Sequence, residues 1–181
     1  MKNFFTAVIL VTVLAGISLA QTSSKGGSGK ARIAVVEFTP GPNASGMTAE
    51  GKRQLQSSIA FSLFESRRFD VVDVRNTRAA TQADLSAINS GPTAAAVKVG
   101  KQLGVSYVLA GTVAEYDTKG GQVTLKTRLI EVATGKVKFS GETTGQSTSA
   151  MTARAGAAEM MSKVVKPAIE RLTARLRGCV D

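Results

Sequence analysis

The chain of 181 residues has no histidine and no tryptophan, and its single cysteine is Cys179. The absence of histidine excludes histidine-based catalytic triads and histidine-ligated metal sites. One cysteine excludes an intramolecular disulfide, a cysteine-rich zinc site and a thiolate-held iron–sulfur cluster. Because these side chains supply much of enzyme and metal chemistry, we expect a protein without a cofactor and without catalytic activity.

The residues that are present are typical of a basic globular protein. Hydrophobic residues make up 43% of the chain, and 23 lysines and arginines against 13 aspartates and glutamates give a formal net charge of +10. This hydrophobic content is too high for a disordered chain. The length fits a single domain.

The first 20 residues are typical of a secretory signal peptide. Lys2 supplies a cationic start, Phe4 to Leu19 form an apolar run, and small residues at Ser18 and Ala20 precede Gln21. An uncleaved membrane anchor is the alternative, because the run has about the minimum length of a spanning helix, roughly 17 residues. We therefore expect an exported protein, periplasmic or associated with the outer membrane. Because no cysteine adjoins the cleavage point, we expect that it is not lipidated.

The rest of the chain divides into a flexible glycine- and serine-rich leader over residues 21–31 and one folded domain over residues 32–178. Cys179 then lies on the tail, where we expect a passive thiol, with intermolecular pairing as the alternative. The sequence shows no internal repeat.

Hydrophobic periodicity predicts alternating strands and helices in this domain. Helix–strand alternation favours parallel strands at first, and tight turns make the last three strands antiparallel. We therefore predict an α/β fold with a single mixed five-stranded sheet, a parallel βαβ part followed by an antiparallel meander, packed with helices and ending in a long C-terminal helix. The predicted strands are 32–38, 69–74, 107–116, 122–132 and 136–144, and the predicted helices are 48–68, two within 76–103 separated at Ser90-Gly91-Pro92, and 149–177 with a kink or restart at Pro167.

Residues 39–46 (TPGPNASG) consist of turn-forming types and predict a loop. In the helix that follows, Leu55, Ile59 and Leu63 form an apolar stripe with Phe64 beside them. The segment from Gly46 to Lys52 also fits the phosphate-loop pattern G-x-x-x-x-G-K, but Arg53 replaces the Ser or Thr that the motif requires. We therefore interpret this segment as a helix start capped by Thr48.

Two carboxylates deserve a test as a catalytic pair. Glu37 and Asp73 follow two predicted parallel strands, at the sheet edge where such folds bind ligands. There they could act as the acid and base of a glycan-hydrolysing enzyme. Nothing in the sequence activates them, so we favour exposure to solvent or ion pairs with Arg75 or Arg78.

Basic residues are the most unusual feature of the chain. Lys126 and Arg128 alternate with apolar residues and share one face of a strand, and we expect Lys136 and Lys138 on the strand across the turn. Like charges on paired strands repel, so four of them predict an acidic partner such as an envelope protein, an anionic membrane or an acidic glycan. A solvated edge hairpin protected by lysines is the alternative. Nucleic acid is disfavoured, because few aromatic side chains are available for stacking on bases.

Three stretches of the chain form a recognisable pattern. They are Ile33 to Phe38 (IAVVEF), Phe64 to Val74 (FESRRFDVVDV), and Ala95 to Val113 (AAVKVGKQLGVSYVLAGTV) continued by Lys126 to Val137 (KTRLIEVATGKV). Together they resemble the CsgG family, which is named for the curli production assembly and transport component. They also resemble the related periplasmic domain of the LpoB activators of peptidoglycan synthases. The motifs are mostly core and turn positions, so they indicate a fold more than a binding site.

The resemblance implies a non-enzymatic envelope protein. As the main interpretation we predict an accessory factor for the assembly or secretion of a cell-surface polymer such as curli. It would contact its partner through Lys126, Arg128, Lys136 and Lys138, and through the last helix as a second surface. The alternative is an LpoB-like activator that docks on a peptidoglycan synthase, and the remote alternative is the glycan-acting enzyme. The connections are too short for the long hairpins of a membrane pore. The sequence leaves open whether the protein forms a homo-oligomer.

Overall fold

The computed structural model describes residues 29–147 and 156–180. They form one six-stranded sheet with helices on both faces. The strands are β1 (Ala31–Val35), β2 (Thr39–Asn43), β3 (Phe69–Val71), β4 (Tyr107–Asp117), β5 (Gln122–Glu131) and β6 (Val137–Gln146). The helices are α1 (Ala49–Glu65), α2 (Val74–Thr81), α3 (Leu85–Ser90), α4 (Thr93–Leu103), α5 (Ala157–Met160) and α6 (Lys166–Arg177), with a π-helical turn over Met161–Val165.

The sheet has the strand order β3-β1-β4-β5-β6, and β2 pairs with β4. The pairs β1–β3, β1–β4 and β2–β4 are parallel, whereas β4–β5 and β5–β6 are antiparallel. Helical connections return the chain in the same direction, and short turns reverse it. The predicted fold class, a mixed sheet packed with helices and ending in a long C-terminal helix, is confirmed.

The prediction of five strands was wrong, because residues 39–43 form β2 instead of belonging to a loop. β1 pairs with the first part of β4, where Ile33 lies opposite Tyr107, and β2 continues the same line with Thr39 opposite Thr112. Pro40 and Pro42 have no N–H to donate, so they fit only a strand that leaves one side unpaired. A strand of this composition has the sequence pattern of a turn.

The helices begin and end close to the predicted positions. The hydroxyl of Thr48 accepts the N–H of Gly51 at 3.0 Å, which confirms the predicted cap of α1. Gly104 ends α4 with φ of 62°, in the left-handed region that favours glycine. Residues 74–103 form three helices and not two, because a turn closed by the Asp84 N–H on the Thr81 carbonyl separates α2 from α3.

The C-terminal helix is interrupted before Pro167, as predicted. The N–H of Lys166 bonds to the carbonyl of Met161, five residues back, and this defines a π-helical turn. Pro167 has no N–H for the carbonyl four residues before it, and the regular α-helical pattern resumes at Lys166 with Pro167 in the first turn of α6. The predicted helical residues 149–155 lie outside the described residues.

Two hydrophobic clusters lie on the two faces of the sheet. On one face α1 and α6 cover β1, β4 and β5, and Leu55, Leu63 and Leu172 are fully buried there. On the other face α3 and α4 pack through Ile88 and Val99. Among residues 29–147 and 156–180, no helix combines the length and the hydropathy needed to cross a membrane.

Both ends of the described domain contact the body of the protein. β1 already starts at Ala31, one residue earlier than the predicted domain. Cys179 is half-buried against the larger cluster, and its thiol donates to the carbonyl of Arg175 at 3.3 Å. The cysteine is therefore packed, which differs from the frayed tail that the sequence predicted.

Candidate functional site

Glu37 follows β1 at the carboxyl edge of the parallel strands, as the sequence predicted. Its carboxylate lies 3.5 Å from the Arg78 guanidinium and 3.8 Å from the Lys52 ammonium, and only 13% of its side chain is exposed. Two cations therefore neutralise this carboxylate. Lys52 is one of them, whereas the corresponding lysine of a phosphate loop binds the phosphates of a nucleotide.

Asp73 caps α2. Its Oδ1 accepts the N–H of Arg75 at 2.7 Å. Glu37 is held by two cations, including the Arg78 that the sequence offered as an ion-pair partner, and Asp73 is held by a helix N-terminus. The geometry therefore does not support the remote alternative of an acid–base pair for glycan hydrolysis. No group of three acidic, cysteine or histidine side chains in the described part of the chain could hold a metal ion.

The four basic residues of the β5–β6 hairpin do not form one cluster. The guanidinium of Arg128 donates to the carbonyls of Ile88 at 2.8 Å and Gly91 at 2.9 Å, so it fastens the end of α3 to the sheet. Lys126 lies opposite Glu142 on β6, with 3.9 Å between their charged groups. The expected repulsion between paired lysines is therefore absent, because the register places a carboxylate opposite Lys126.

Lys136 and Lys138 remain exposed, Lys136 in the turn before β6 and Lys138 within it. Gly135 has φ of 69°, which confirms the positive φ predicted for this turn. Lys126 is also exposed, although it pairs with Glu142, so these three lysines are the part of the predicted contact surface that the structure leaves accessible. Their role in binding a partner stays a prediction.

A groove with an apolar floor lies between α1 and the C-terminal helical segment. Its volume is about 650 Å³, and its walls are mostly apolar. Met161 and Ile169 form a buried floor, whereas Phe61 on α1 is 64% exposed. The side chains that line it are Gln54, Ser57, Ser58, Phe61, Ser62, Glu65, Ala158, Met161, Ser162, Lys166, Ile169 and Glu170.

Small side chains on α1 leave this groove open. Ser58 and Ser62 are four residues apart and lie on the same side of α1, where larger apolar side chains would fill the space against α6. The hydroxyls of Ser62 and Thr173 hydrogen-bond at 2.9 Å, which ties α1 to α6. The two helices are thus held at a fixed separation, and the groove is preformed.

Sequence reasoning did not identify this groove. It assigned Phe64 to the buried stripe of α1, but the ring is 59% exposed, and it passed over Phe61. Leu55, Ile59 and Leu63 recur every four residues, and both phenylalanines fall outside that spacing. Large apolar side chains off the buried stripe were the available signal.

Comparisons with known proteins agree with this architecture. The family model of the peptidoglycan-synthase activator LpoB matches residues 50–144. No relative was found among curated protein sequences. The range matched by the family model runs from α1 into β6 and contains the parallel-to-antiparallel transition of the sheet.

The chain is similar to several solved structures at low sequence identity. Lipoprotein GNA1162 from Neisseria meningitidis has a TM-score of 0.52 and 24% identity, over 68% of this chain and 86% of that chain. The hypothetical protein CT253 from Chlamydia trachomatis has a TM-score of 0.60 and 12% identity, over 83% and 98%. The LpoB C-terminal domain from Salmonella enterica has a TM-score of 0.47 and 23% identity, over 67% and 87%.

The family match supports the predicted relation to LpoB-type activators, and none of the comparisons supports membership of the CsgG family or a role in curli assembly. The family match covers more than half of the chain. The protein therefore belongs to the family of peptidoglycan-synthase activators known as LpoB.

Proposed function

We propose that this protein is a non-enzymatic factor of the cell envelope that binds a peptidoglycan synthase and activates it. The family match over residues 50–144 carries the proposal. The predicted signal peptide supports it, because the export route would bring the domain to the compartment where peptidoglycan is polymerised. The engagement of Glu37 and Asp73 in structural contacts also favours a binding role over catalysis.

We place the synthase contact at the groove between α1 and α6. An exposed phenylalanine beside a preformed apolar floor is the arrangement from which interface hot spots are built. Full burial of a phenylalanine ring is worth about 1.5–3 kcal/mol. Glu65, Lys166 and Glu170 bring charges of both signs to the lining, which suits a protein surface of mixed charge.

The test compares two phenylalanines of α1 in full-chain protein. Purified synthases from the same organism are assayed for glycan polymerisation with increasing amounts of wild type, Phe61→Ser or Phe64→Ser. Phe61→Ser should raise the concentration needed for half-maximal stimulation about tenfold, which corresponds to about 1.4 kcal/mol of lost apolar contact. Phe64→Ser is the matched control, because its ring is equally exposed but lies outside the groove.

Wild-type protein that binds and stimulates none of these synthases would remove the proposed function. Stimulation that Phe61→Ser leaves unchanged would keep the function and reject the groove as the contact. In the same assay, Lys136→Glu with Lys138→Glu tests a second contact on the hairpin. Loss of stimulation would support it, and an unchanged response would exclude those lysines.

A further inference from the structure

The amino ends of the parallel strands carry a basic surface, at the opposite end of the strands from Glu37. Lys30 directly precedes β1 and Arg68 directly precedes β3, and the two strands start in register with Ala31 opposite Phe69. Lys101, in the last turn of α4, reaches the same edge. We define the basal surface as Lys30, Phe64, Arg67, Arg68 and Lys101, all of which are exposed.

Two shallow depressions show that these residues are contiguous. One is lined by Lys30, Arg68 and Lys101, and the other by Lys30, Phe64 and Arg67. Lys30 belongs to both and joins them into one surface. An exposed aromatic ring therefore lies within a group of cations.

Positive charge predominates on the basal surface. Among the described residues that line its depressions, the carboxylates are Glu65 and Glu131, and Glu131 already accepts a hydrogen bond from the Thr134 hydroxyl. Lys30 and Lys101 make no ion pair with any described residue. At the carboxyl edge, in contrast, the cations beside Glu37 are both paired with it.

We propose that the basal surface rests on a bilayer that contains anionic lipids. Each lysine or arginine near such a surface contributes about 1 kcal/mol of binding free energy, and an exposed aromatic ring adds contact at the headgroup level. An acidic protein would satisfy the charges equally well. The path of the chain favours the bilayer.

The chain enters the domain at this surface. Lys30 follows Leu19, the last residue of the apolar run, by 11 residues. A fully extended segment of that length spans at most about 40 Å. In the uncleaved form, which is the alternative to a cleaved signal peptide, the apolar run lies in a bilayer and holds the start of β1 within about 40 Å of the headgroups.

The test measures flotation of the full chain with vesicles of phosphatidylcholine alone or with about 30% phosphatidylglycerol. The apolar run contributes alike to both vesicle types, so the ratio of the two affinities isolates the charge effect. The basal variant combines Lys30→Ser, Arg67→Gly and Lys101→Ser. Glycine suits position 67, because φ there is 57°.

The control variant combines Arg53→Ser, Lys98→Ser and Lys119→Ser, which are exposed positions off the basal surface. It has the same net charge as the basal variant. The basal variant should lose about fivefold of the anionic-vesicle preference per removed charge at low salt, and the control should stay within about twofold of wild type. Raising the salt to about 0.3 M should reduce the wild-type preference, because the charges are screened.

Equal losses in both variants would reject the proposal in favour of a net-charge effect. An unchanged preference in the basal variant, or a loss of binding to peptidoglycan sacculi without any loss on vesicles, would also reject it. The basal variant should still stimulate the synthase in detergent, and Phe61→Ser should still float with anionic vesicles. Failure of this proposal and failure of the synthase proposal are therefore distinguishable.

Discussion

Asn89 joins three parts of the chain through one buried amide. Its Nδ2 donates to the carbonyl of Glu37 at 2.7 Å, and its Oδ1 accepts the N–H of Gly111 at 3.0 Å. The side chain is 3% exposed. It therefore satisfies backbone groups where the line of β1 and β2 is interrupted, at a place where water has little access.

Asn89→Ala should lower the free energy of unfolding by about 2–4 kcal/mol, because it leaves two buried backbone groups unsatisfied. Urea denaturation followed by circular dichroism measures this loss. Asn76→Ala, at an exposed position of α2, should change stability by no more than about 0.5 kcal/mol. Equal effects of the two substitutions would show that the Asn89 amide is not the anchor that its contacts indicate.

Single residues differed in how far the sequence could predict them. Thr48, Gly104 and Gly135 act through local backbone geometry, so their roles as cap, helix stop and turn residue followed from sequence position. Asn89 bonds to groups 52 and 22 residues away. Its neighbours along the chain contain no sign of those partners.

At the scale of secondary-structure elements, Arg128 holds α3 against β5. Its two hydrogen bonds to carbonyls at the end of α3 complement the negative end of that helix. The short helix α3 has six residues and makes few intrahelical hydrogen bonds. Its position therefore depends on contacts with the sheet.

Arg128→Ala should lower stability by about 2–3 kcal/mol, because two charge-assisted hydrogen bonds are lost together. Hydrogen exchange should accelerate first in α3. Lys126→Ala is the neighbouring control on the same strand face, and its exposed ion pair with Glu142 should be worth no more than about 1 kcal/mol. The opposite order of effects would return Arg128 to the role of a surface contact that the sequence predicted.

Elements whose pattern matches their environment were predicted well. The buried strand β4 and the amphipathic helix α1 have the periodicity that their burial requires. β2 was missed, because its two prolines favour turns and only the free side beside β4 allows them to pair. Local sequence preferences do not show that a side of β4 is free for pairing.

At the scale of the whole molecule, β4 belongs to both hydrophobic clusters. Tyr107 and Leu109 point to the cluster with α1 and α6, and Val108 and Ala110 belong to the cluster with α3 and α4. Loss of β4 would expose both clusters at once. The two helical layers should therefore unfold together.

The two tyrosines, Tyr107 and Tyr116, both lie on β4, and the chain has no tryptophan. Tyrosine fluorescence thus reports on the central strand, whereas far-ultraviolet circular dichroism reports chiefly on the helices. Urea midpoints from the two signals should coincide. A helical signal lost before the tyrosine signal would show that one helical layer separates from the sheet on its own.

The sequence by itself determined the mixed α/β fold, the order of its main elements, the cap of α1, the stop of α4, the turn before β6, and the relation to LpoB-type proteins. Those features depend on local preferences and on hydrophobic periodicity, which neighbouring residues express. Only the tertiary structure decided that Arg128 is an internal anchor, that Phe61 borders a groove and that Lys30 and Lys101 share one surface. These arrangements depend on strand register and helix packing, which bring together residues far apart in the chain.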